Sequence, residues 1–467
     1  MTKSNRKIGG GKPQGAREVA MQVLLKVETE GAYSGLTLNH ALESFELSRP
    51  DSALATELVY GTIQRLNTID DVLKRRVKGW PKKVEPWVRC LLRLSYYQLR
   101  WLDRVPPHAV VDEAVTIAKK HGHSGIAGLV NGVLRSVIRD GIDESLPQQM
   151  SIEERISLSF SHPQWLIKRW LRDYGQATTE AICAANNEPP HSSVRVNPLR
   201  MNREELLTEM TRIGIEANAS PLSIQGVVAS KAGNLVHTSW YSDGRMSVQD
   251  ESSMLVAAVA DPQPGMAVLD CCAAPGGKST HLAELMRNEG KVVANDLHPH
   301  KQALIGKQAE RLGLSCIETM TSDAADLAER LSPQSFDVVL LDAPCSGLGV
   351  IRRKPEIKWN KTEDDIASLA ILQSQLLRRV QELVKPGGTL VYSTCTIAPE
   401  ENEQTIKHFM NEFPDFELDA NWTEDVLRPL QDAGIVTSDF KGMLQLLPHM
   451  FGSDGFFIAR LRKKRSQ

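Results

Sequence analysis

The chain has 467 residues, 41% hydrophobic and 24% charged, with a formal net charge of −2, a globular composition long enough for about three domains. No apolar run is long enough to span a bilayer, and the basic, Gly-rich start over residues 1–17 has no apolar segment behind it, so a cytoplasmic protein without a membrane partner is expected. Seven cysteines (Cys90, Cys183, Cys271, Cys272, Cys316, Cys345, Cys395) include no CxxC pair, which disfavours a disulfide framework or a zinc ribbon and leaves reduced thiols and no metal as the expectation.

From Ala16 to about Ile138 apolar residues recur at helical spacing, as in Val19-Ala20-Val23-Leu24-Val27 and Val88-Leu91-Leu92-Leu94, with Pro81, Pro86, Pro106 and Pro107 at the turns. This predicts an all-α bundle over 1–145, followed by a polar linker around Asp140 to Gln149. Residues 150–240 open with a helical stretch, Trp165 to Leu171, whose tryptophans read as core and whose Lys168, Arg169 and Arg172 read as a polar face. Short strands at Ser193-Val194-Arg195-Val196 and Gly226-Val227-Val228 flank a helix near Arg203 to Ile213, the mix of a small α+β module.

Over 241–467 strands and helices alternate, which predicts an α/β Rossmann-like parallel sheet with helices on both faces. Strands are expected at Ala267–Leu269, Lys291–Ala294, Ser315–Met320, Phe336–Leu341 and Thr389–Tyr392. A helix from Thr362 to Val384 carries Thr362 as its N-cap, acids in its first turn and Pro386-Gly387-Gly388 as its stop.

In such a sheet ligands sit at the carboxyl ends of the strands. The first strand leads into Cys272-Ala273-Ala274-Pro275-Gly276-Gly277-Lys278, where small residues admit a ligand and the helix opens with free N–H groups. Gly277-Lys278-Ser279 matches the end of a phosphate-binding P-loop, but Cys272 stands where its first glycine belongs. Asp296 ends the second strand, Asp323 the third and Asp342 the fourth. Any one of these could be a turn residue; together with a glycine loop that lacks a phosphate pattern they fit a nucleoside without phosphates, of which S-adenosyl-L-methionine is one.

Two thiols end two of the strands, in Asp342-Ala343-Pro344-Cys345-Ser346-Gly347 and in Ser393-Thr394-Cys395-Thr396, and should face one crevice. Carbon 5 of a pyrimidine is a poor nucleophile, and a thiolate adding at carbon 6 would activate it. Asp342 is suited to hydrogen-bond the N3 and N4 edge of a cytosine. Which thiol attacks is not decided by the residues alone.

These two motifs, with Asp270-Cys271-Cys272-Ala273-Ala274-Pro275-Gly276-Gly277-Lys278, Gln249-Asp250-Glu251-Ser252 and Asp454-Gly455-Phe456-Phe457, resemble the signatures of the RNA cytosine-C5 methyltransferases over about Met246 to Lys463. The front resembles a NusB-like RNA-binding bundle, and Ser161-His162-Pro163-Gln164-Trp165 fits the branch acting on small-subunit ribosomal RNA. The resemblance implies that Cys395 attacks carbon 6, that Cys345 assists product release, and that Lys278 contacts the cofactor or the base. It further implies protein-free ribosomal RNA as the partner of a chain expected to be monomeric. Basic residues bunch at the start (Lys3, Arg6, Lys7, Lys12, Arg17), at the end (Arg460, Arg462, Lys463, Lys464, Arg465) and just past Cys345 (Arg352, Arg353, Lys354), where they could hold phosphates. A transfer RNA substrate and an inactive RNA-binding assembly factor are the rival readings; the NusB-like front argues against the first and the intact Cys345, Cys395, Asp342 and glycine loop against the second. A DNA methyltransferase is disfavoured because Ser393-Thr394-Cys395-Thr396 would then have no job.

Overall fold

The computed structural model describes residues 15–141, 149–230 and 232–465; Lys3, Arg6, Lys7, Lys12 and most of the expected linker lie outside the described residues. The chain divides into two compact units, one of residues up to Glu188 together with Ile351–Asn360, the other of Pro189–Val350 and Lys361 onward. No described helix is long and apolar enough to cross a membrane.

The first unit is helical. Seven helices run from Ala16–Glu30 to Ser124–Asp140, and three more, Ile152–Phe160, Gln164–Tyr174 and Gln176–Asn186, follow. The helix Pro86–Trp101 starts with proline at its first position, where the missing N–H costs nothing, and buries Val88, Leu91, Leu92 and Leu94 in one core with Met21, Val23 and Leu58. Ser151 and Glu154 close a capping box at Ile152–Phe160. Trp170 is buried as expected, but so is Arg169, beside Asp173, so that face is less polar than the pattern suggests.

Residues 351–360 return to this helical unit from far along the chain. Ser34 Oγ donates to Glu356 Oε2 at 2.7 Å, Lys358 Nζ to the Gln64 carbonyl at 2.9 Å and Trp359 Nε1 to the Ile63 carbonyl at 2.8 Å. Ile351 and Ile357 are buried alongside. This corrects the reading of Arg352-Arg353-Lys354 as a phosphate clamp: Arg352 is 5% exposed, Arg353 is half-buried, and only Lys354 of the three is exposed.

The second unit holds two sheets. Four antiparallel strands, β1 (Ser192–Val196), β2 (Glu216–Ala219), β3 (Gly226–Ser230) and β4 (Met246–Val248), pair in the order β2-β3-β1-β4, and Leu206 and Met210 of the helix Arg203–Arg212 pack on them. The large sheet contains β5 (Ala267–Asp270), β6 (Lys291–Asp296), β7 (Ile317–Thr321), β8 (Phe336–Asp342), β9 (Val384–Thr394), β10 (Phe416–Leu418), β11 (Met443–Leu446) and β12 (Phe456–Lys463). Its order is β10-β12-β9-β8-β5-β6-β7, with β11 beside β12.

Strands β5 to β9 are parallel, while β12 runs antiparallel to β9, β10 and β11, so the sheet is mixed rather than wholly parallel. The apolar alternation that marks a strand carries no direction, which is why the pattern missed this. The long helix ends at Val380, and Pro386-Gly387-Gly388 lies inside β9 instead of stopping the helix. Between the pairs Phe336↔Val384 and Val338↔Thr389 four residues of β9 face one of β8, and proline and glycine suit such a bulge. The basic end is no loose tail: Arg460 and Lys463 are buried in β12, and Arg460 pairs with Asp419 at 3.2 Å.

Candidate active site

The carboxyl ends of β5, β6, β8 and β9 lie side by side on one edge of the parallel sheet. At the end of β5 the chain turns through Cys272–Gly276 into the helix Gly277–Leu285. Gly276 has φ +105°, and a Cβ there would lie 3.2 Å from Ile305 Cα, so the turn needs glycine. Asp270, fully buried, accepts from Ser279 Oγ at 2.6 Å, and burial pushes its carboxyl up to about 7.

Asp296 ends β6; its Oδ2 accepts from the Ala274 N–H at 3.3 Å and its Oδ1 from the His298 N–H at 3.2 Å. Leu297 beside it is 53% exposed, an apolar surface next to an acid that the sequence reading passed over. Asp323 does not end a strand: it lies two residues beyond β7, exposed, and caps a turn by accepting from the Ala325 N–H at 2.9 Å. The turn role that a single aspartate suggests applies here, although its charge still reaches the Cys272 thiol. Burial, and then the charges of Asp270, Asp342, Asp296 and Asp323, push that thiol up, which leaves it a poor nucleophile.

Lys278 Nζ donates to Asp342 Oδ2 at 2.7 Å, and Ser393 Oγ donates to Asp342 Oδ1 at 2.8 Å. The ammonium also lies 5.2 Å from the centre of the Phe456 ring. Burial alone would lower the Lys278 pKa; Asp342, and further off the Cys395 sulfur, outweigh it and hold the group above its usual value. The cation therefore stays charged beside a thiol.

Cys345 and Cys395 meet, Sγ to Sγ, at 3.3 Å, both half-buried. Parallel pairing of β8 with β9, with Asp342 opposite Ser393, brings their loops together. The loops then lock: the Gly349 N–H donates to the Cys395 carbonyl at 3.0 Å and the Gly455 N–H to the Gly349 carbonyl at 2.8 Å. A Cβ on Gly349 would sit 2.0 Å from the Gly455 oxygen.

Behind the glycine loop is a residue the sequence reading did not single out. Arg195 of β1, with no exposure, donates to both oxygens of the equally buried Glu284, to Oε2 at 2.8 Å and Oε1 at 3.0 Å, and to the Gly277 carbonyl at 2.9 Å and Thr280 Oγ1 at 3.2 Å. Gln249 Oε1 accepts as well. The signal was available: an arginine inside an apolar strand run needs a buried anion.

A parallel core of strands with a glycine-rich first turn, an acid ending the second strand and acceptor-side residues after the fourth defines the second unit as a Rossmann-like methyltransferase domain. Comparison with known families agrees in each part. Residues 257–462 match the 16S rRNA methyltransferase RsmB/F family, residues 14–139 the NusB family, and residues 162–235 the ferredoxin-like domain of RsmF/B-like methyltransferases. Over 460 residues the chain is 46% identical to the probable ribosomal RNA small subunit methyltransferase B of Bacillus subtilis (strain 168), covering 97% of this chain and all of the relative. The chain belongs to the RsmB/F family of 16S rRNA methyltransferases. Among solved structures, that of PH0851 is 29% identical with a TM-score of 0.80, covering 97% of this chain and 99% of its own. The structure of NSun6 from Pyrococcus horikoshii with SFG is 23% identical with a TM-score of 0.57, covering 65% of this chain and 99% of its own, a likeness of fold.

Proposed function

We propose that this chain methylates carbon 5 of a specific cytosine in 16S ribosomal RNA, using S-adenosyl-L-methionine, through a covalent cysteine adduct at carbon 6. The observation that carries the reading is the pair of thiols 3.3 Å apart beside the Lys278–Asp342 pair. Buried inert cysteines would need neither a cation nor a shared crevice.

The residues present fit the cofactor. The Ala273 to Lys278 turn presents the start of a helix, Asp296 can accept from ribose hydroxyls and Leu297 offers an apolar face beside it. Cys272 and Asp323 would line the same end. When bound, the sulfonium supplies the electrophilic methyl group.

Cys395, near the Lys278 ammonium, adds as thiolate to carbon 6. Asp342 meets the base edge, held by Lys278 and Ser393 so that it cannot swing away. Cys345, the thiol pushed up by its hydrogen bond to Cys395, by burial and by Glu401 and Asp342, keeps its proton; once a base has taken the carbon 5 proton, the C5=C6 bond re-forms as the C6–S bond breaks, and Cys345, 3.3 Å away, can hand its proton to the departing Cys395 thiolate. A cytosine paired in a helix cannot reach this crevice, so the target is unpaired or flipped in protein-free RNA. In this reading residues 1–145 and 150–240 choose the RNA, 241–467 carry the chemistry, and the protein works as a monomer in the cytoplasm.

The test is bisulfite sequencing of ribosomal and transfer RNA from cells with and without the protein. Loss of one 5-methylcytosine from 16S ribosomal RNA is expected. A loss confined to transfer RNA, or none, overturns the reading.

A further inference from the structure

A buried carboxylate that belongs to neither cysteine motif binds both of them. Glu401, with no exposed surface, follows the Cys395 loop and lies just before the helix Glu403–Glu412. Its Oε2 accepts from the Ser346 N–H at 2.8 Å and from Gln373 Nε2 at 3.0 Å. Its Oε1 accepts from Thr396 Oγ1 at 3.2 Å and from Ser346 Oγ, the shortest of the four contacts.

Ser346 follows Cys345 and Thr396 follows Cys395, so one carboxylate is bonded next to each thiol. The tie is redundant. Ser346 Oγ and Thr396 Oγ1 also meet at 2.8 Å, Gln373 Nε2 reaches on to the Pro344 carbonyl at 2.8 Å, and the Tyr392 hydroxyl donates to the Glu401 carbonyl at 2.6 Å, fixing the backbone that carries the acid. Each hydroxyl has one hydrogen, so with the Ser346–Thr396 bond made three donors reach the two oxygens; they favour the ionised form against the burial that pushes this carboxyl up, and they suit a neutral amide poorly, because an amide brings two N–H groups of its own.

The charges around the thiols are unequal. The cation, Lys278, is felt by Cys395. The charged groups that weigh most on Cys345 are Glu401 and Asp342, both acids. Two chemically identical side chains in contact thus meet unequal charges.

We propose that Glu401 is a positioning residue for the reaction: its carboxylate ties the Cys345 loop to the Cys395 loop and holds a negative charge on the Cys345 side, so that Cys395 is the thiol that ionises and Cys345 the one that stays protonated. The inference rests on the two-thiol reading above and supplies the physical cause of its division of labour.

The test reads the thiols directly, in the full chain without RNA or cofactor, so that it can fail while two-thiol methylation stands, and the reverse. Cys345 alkylation by iodoacetamide is followed against pH by peptide mass spectrometry in Cys395→Ala and in Cys395→Ala/Glu401→Gln. Removing the charge should raise the Cys345 alkylation rate at pH 8 by about threefold to tenfold, since a neighbouring like charge shifts a thiol by the order of a pKa unit. Equal rates in the two proteins overturn the electrostatic half. In the wild-type background Glu401→Gln should lower methyl transfer at least about tenfold with cofactor affinity unchanged, and Glu401→Asp, which keeps the charge and loses the reach, should not restore it. Losses of melting temperature, cofactor binding and transfer in step, with Cys345 reactivity unmoved, would make Glu401 merely structural and overturn the proposal. Should Glu401→Gln not fold, Ser346→Ala/Thr396→Val loosens the tie and leaves the charge: transfer should fall while Cys345 alkylation keeps its wild-type pH profile, and unimpaired transfer would refute the tie.

Discussion

Replacing Arg195 by methionine removes the cation that is hydrogen-bonded to Glu284 in a wholly buried pair, leaving the more weakly acting Arg311. Taking one partner from such a pair costs about 3–5 kcal/mol, because the remaining charge is left in a medium that cannot solvate it. Three further acceptor contacts are distributed over Gly277, Thr280 and Gln249, so the upper half of that range applies, a change of roughly three decades in the local opening constant. A chain of two units has no single unfolding free energy, so the readout is amide hydrogen exchange on peptides covering β1 and the helix Gly277–Leu285. Glu284 is already pushed up by burial, against the pull of Arg195. Without Arg195 it takes a proton more readily, so the deficit should shrink as pH falls toward the usual carboxylate range and grow as pH rises. Cofactor affinity should fall with it, since Gly277 loses its brace. Arg195→Met/Glu284→Met should be close to wild type in stability, because no charge is left behind. Exchange unchanged in the single variant, or a double variant less stable than the single, would refute the account of a charge pair under the glycine loop.

Four other outcomes follow from the crevice. Cys395→Ala should abolish methylation and adduct formation, while Cys345→Ala should accumulate a covalent protein–RNA species on a denaturing gel; the opposite pattern would exchange their roles. Asp296→Ala should weaken cofactor binding about tenfold to hundredfold in titration calorimetry, the worth of its hydrogen bonds as an ionised acceptor, and leave RNA affinity as it was. Gly349→Ala forces its methyl into the Gly455 carbonyl and against the Cys395 backbone oxygen, and transfer should drop about a hundredfold with cofactor affinity kept, measured by single-turnover kinetics. Asp270, at about 7 in the folded protein against about 3.9 in the unfolded chain, favours the fold below pH 4 and loses that contribution as pH rises through 7, at most about 4 kcal/mol. Asp270→Asn should therefore flatten the stability of the second unit between those pH values, read by thermal melting.

The elements were legible in the chain wherever a short-range signal sets them. Helical spacing over Val19 to Leu24 and Val88 to Leu94, the Thr362 cap and the strand runs Val268-Leu269 and Val338 to Leu341 all stand in the structure as elements of the expected type. What failed was long-range. Strand direction at β12 depends on where the chain comes from, and the bulge at Pro386-Gly387-Gly388 depends on what β8 presents opposite it. At the crevice the motif residues Lys278, Asp342, Cys345 and Cys395 are brought together, whereas Asp323 turns out to cap a turn. Arg195, Glu284 and Glu401 were invisible as a set because each is defined by a partner tens of residues away, 89 for the first pair and 55 between Glu401 and Ser346.

The helical unit is not finished where its sequence pattern ends. Ser34, Ile63 and Gln64 find their partners in Glu356, Trp359 and Lys358, about 300 residues later in synthesis. The order of translation therefore puts the completion of the front unit after most of β5 to β8 has left the ribosome, and the nascent bundle waits with Ile63 and Gln64 carbonyls open. A fragment stopping at residue 188 would retain its own helices but lose these three bonds and the buried Ile351 and Ile357 side chains, while a fragment starting at 189 would carry the same apolar strip with nothing to cover it. The chain leaves the second unit after Val350 and returns to it at Lys361, so the two units are to be expressed, cut or swapped only as one.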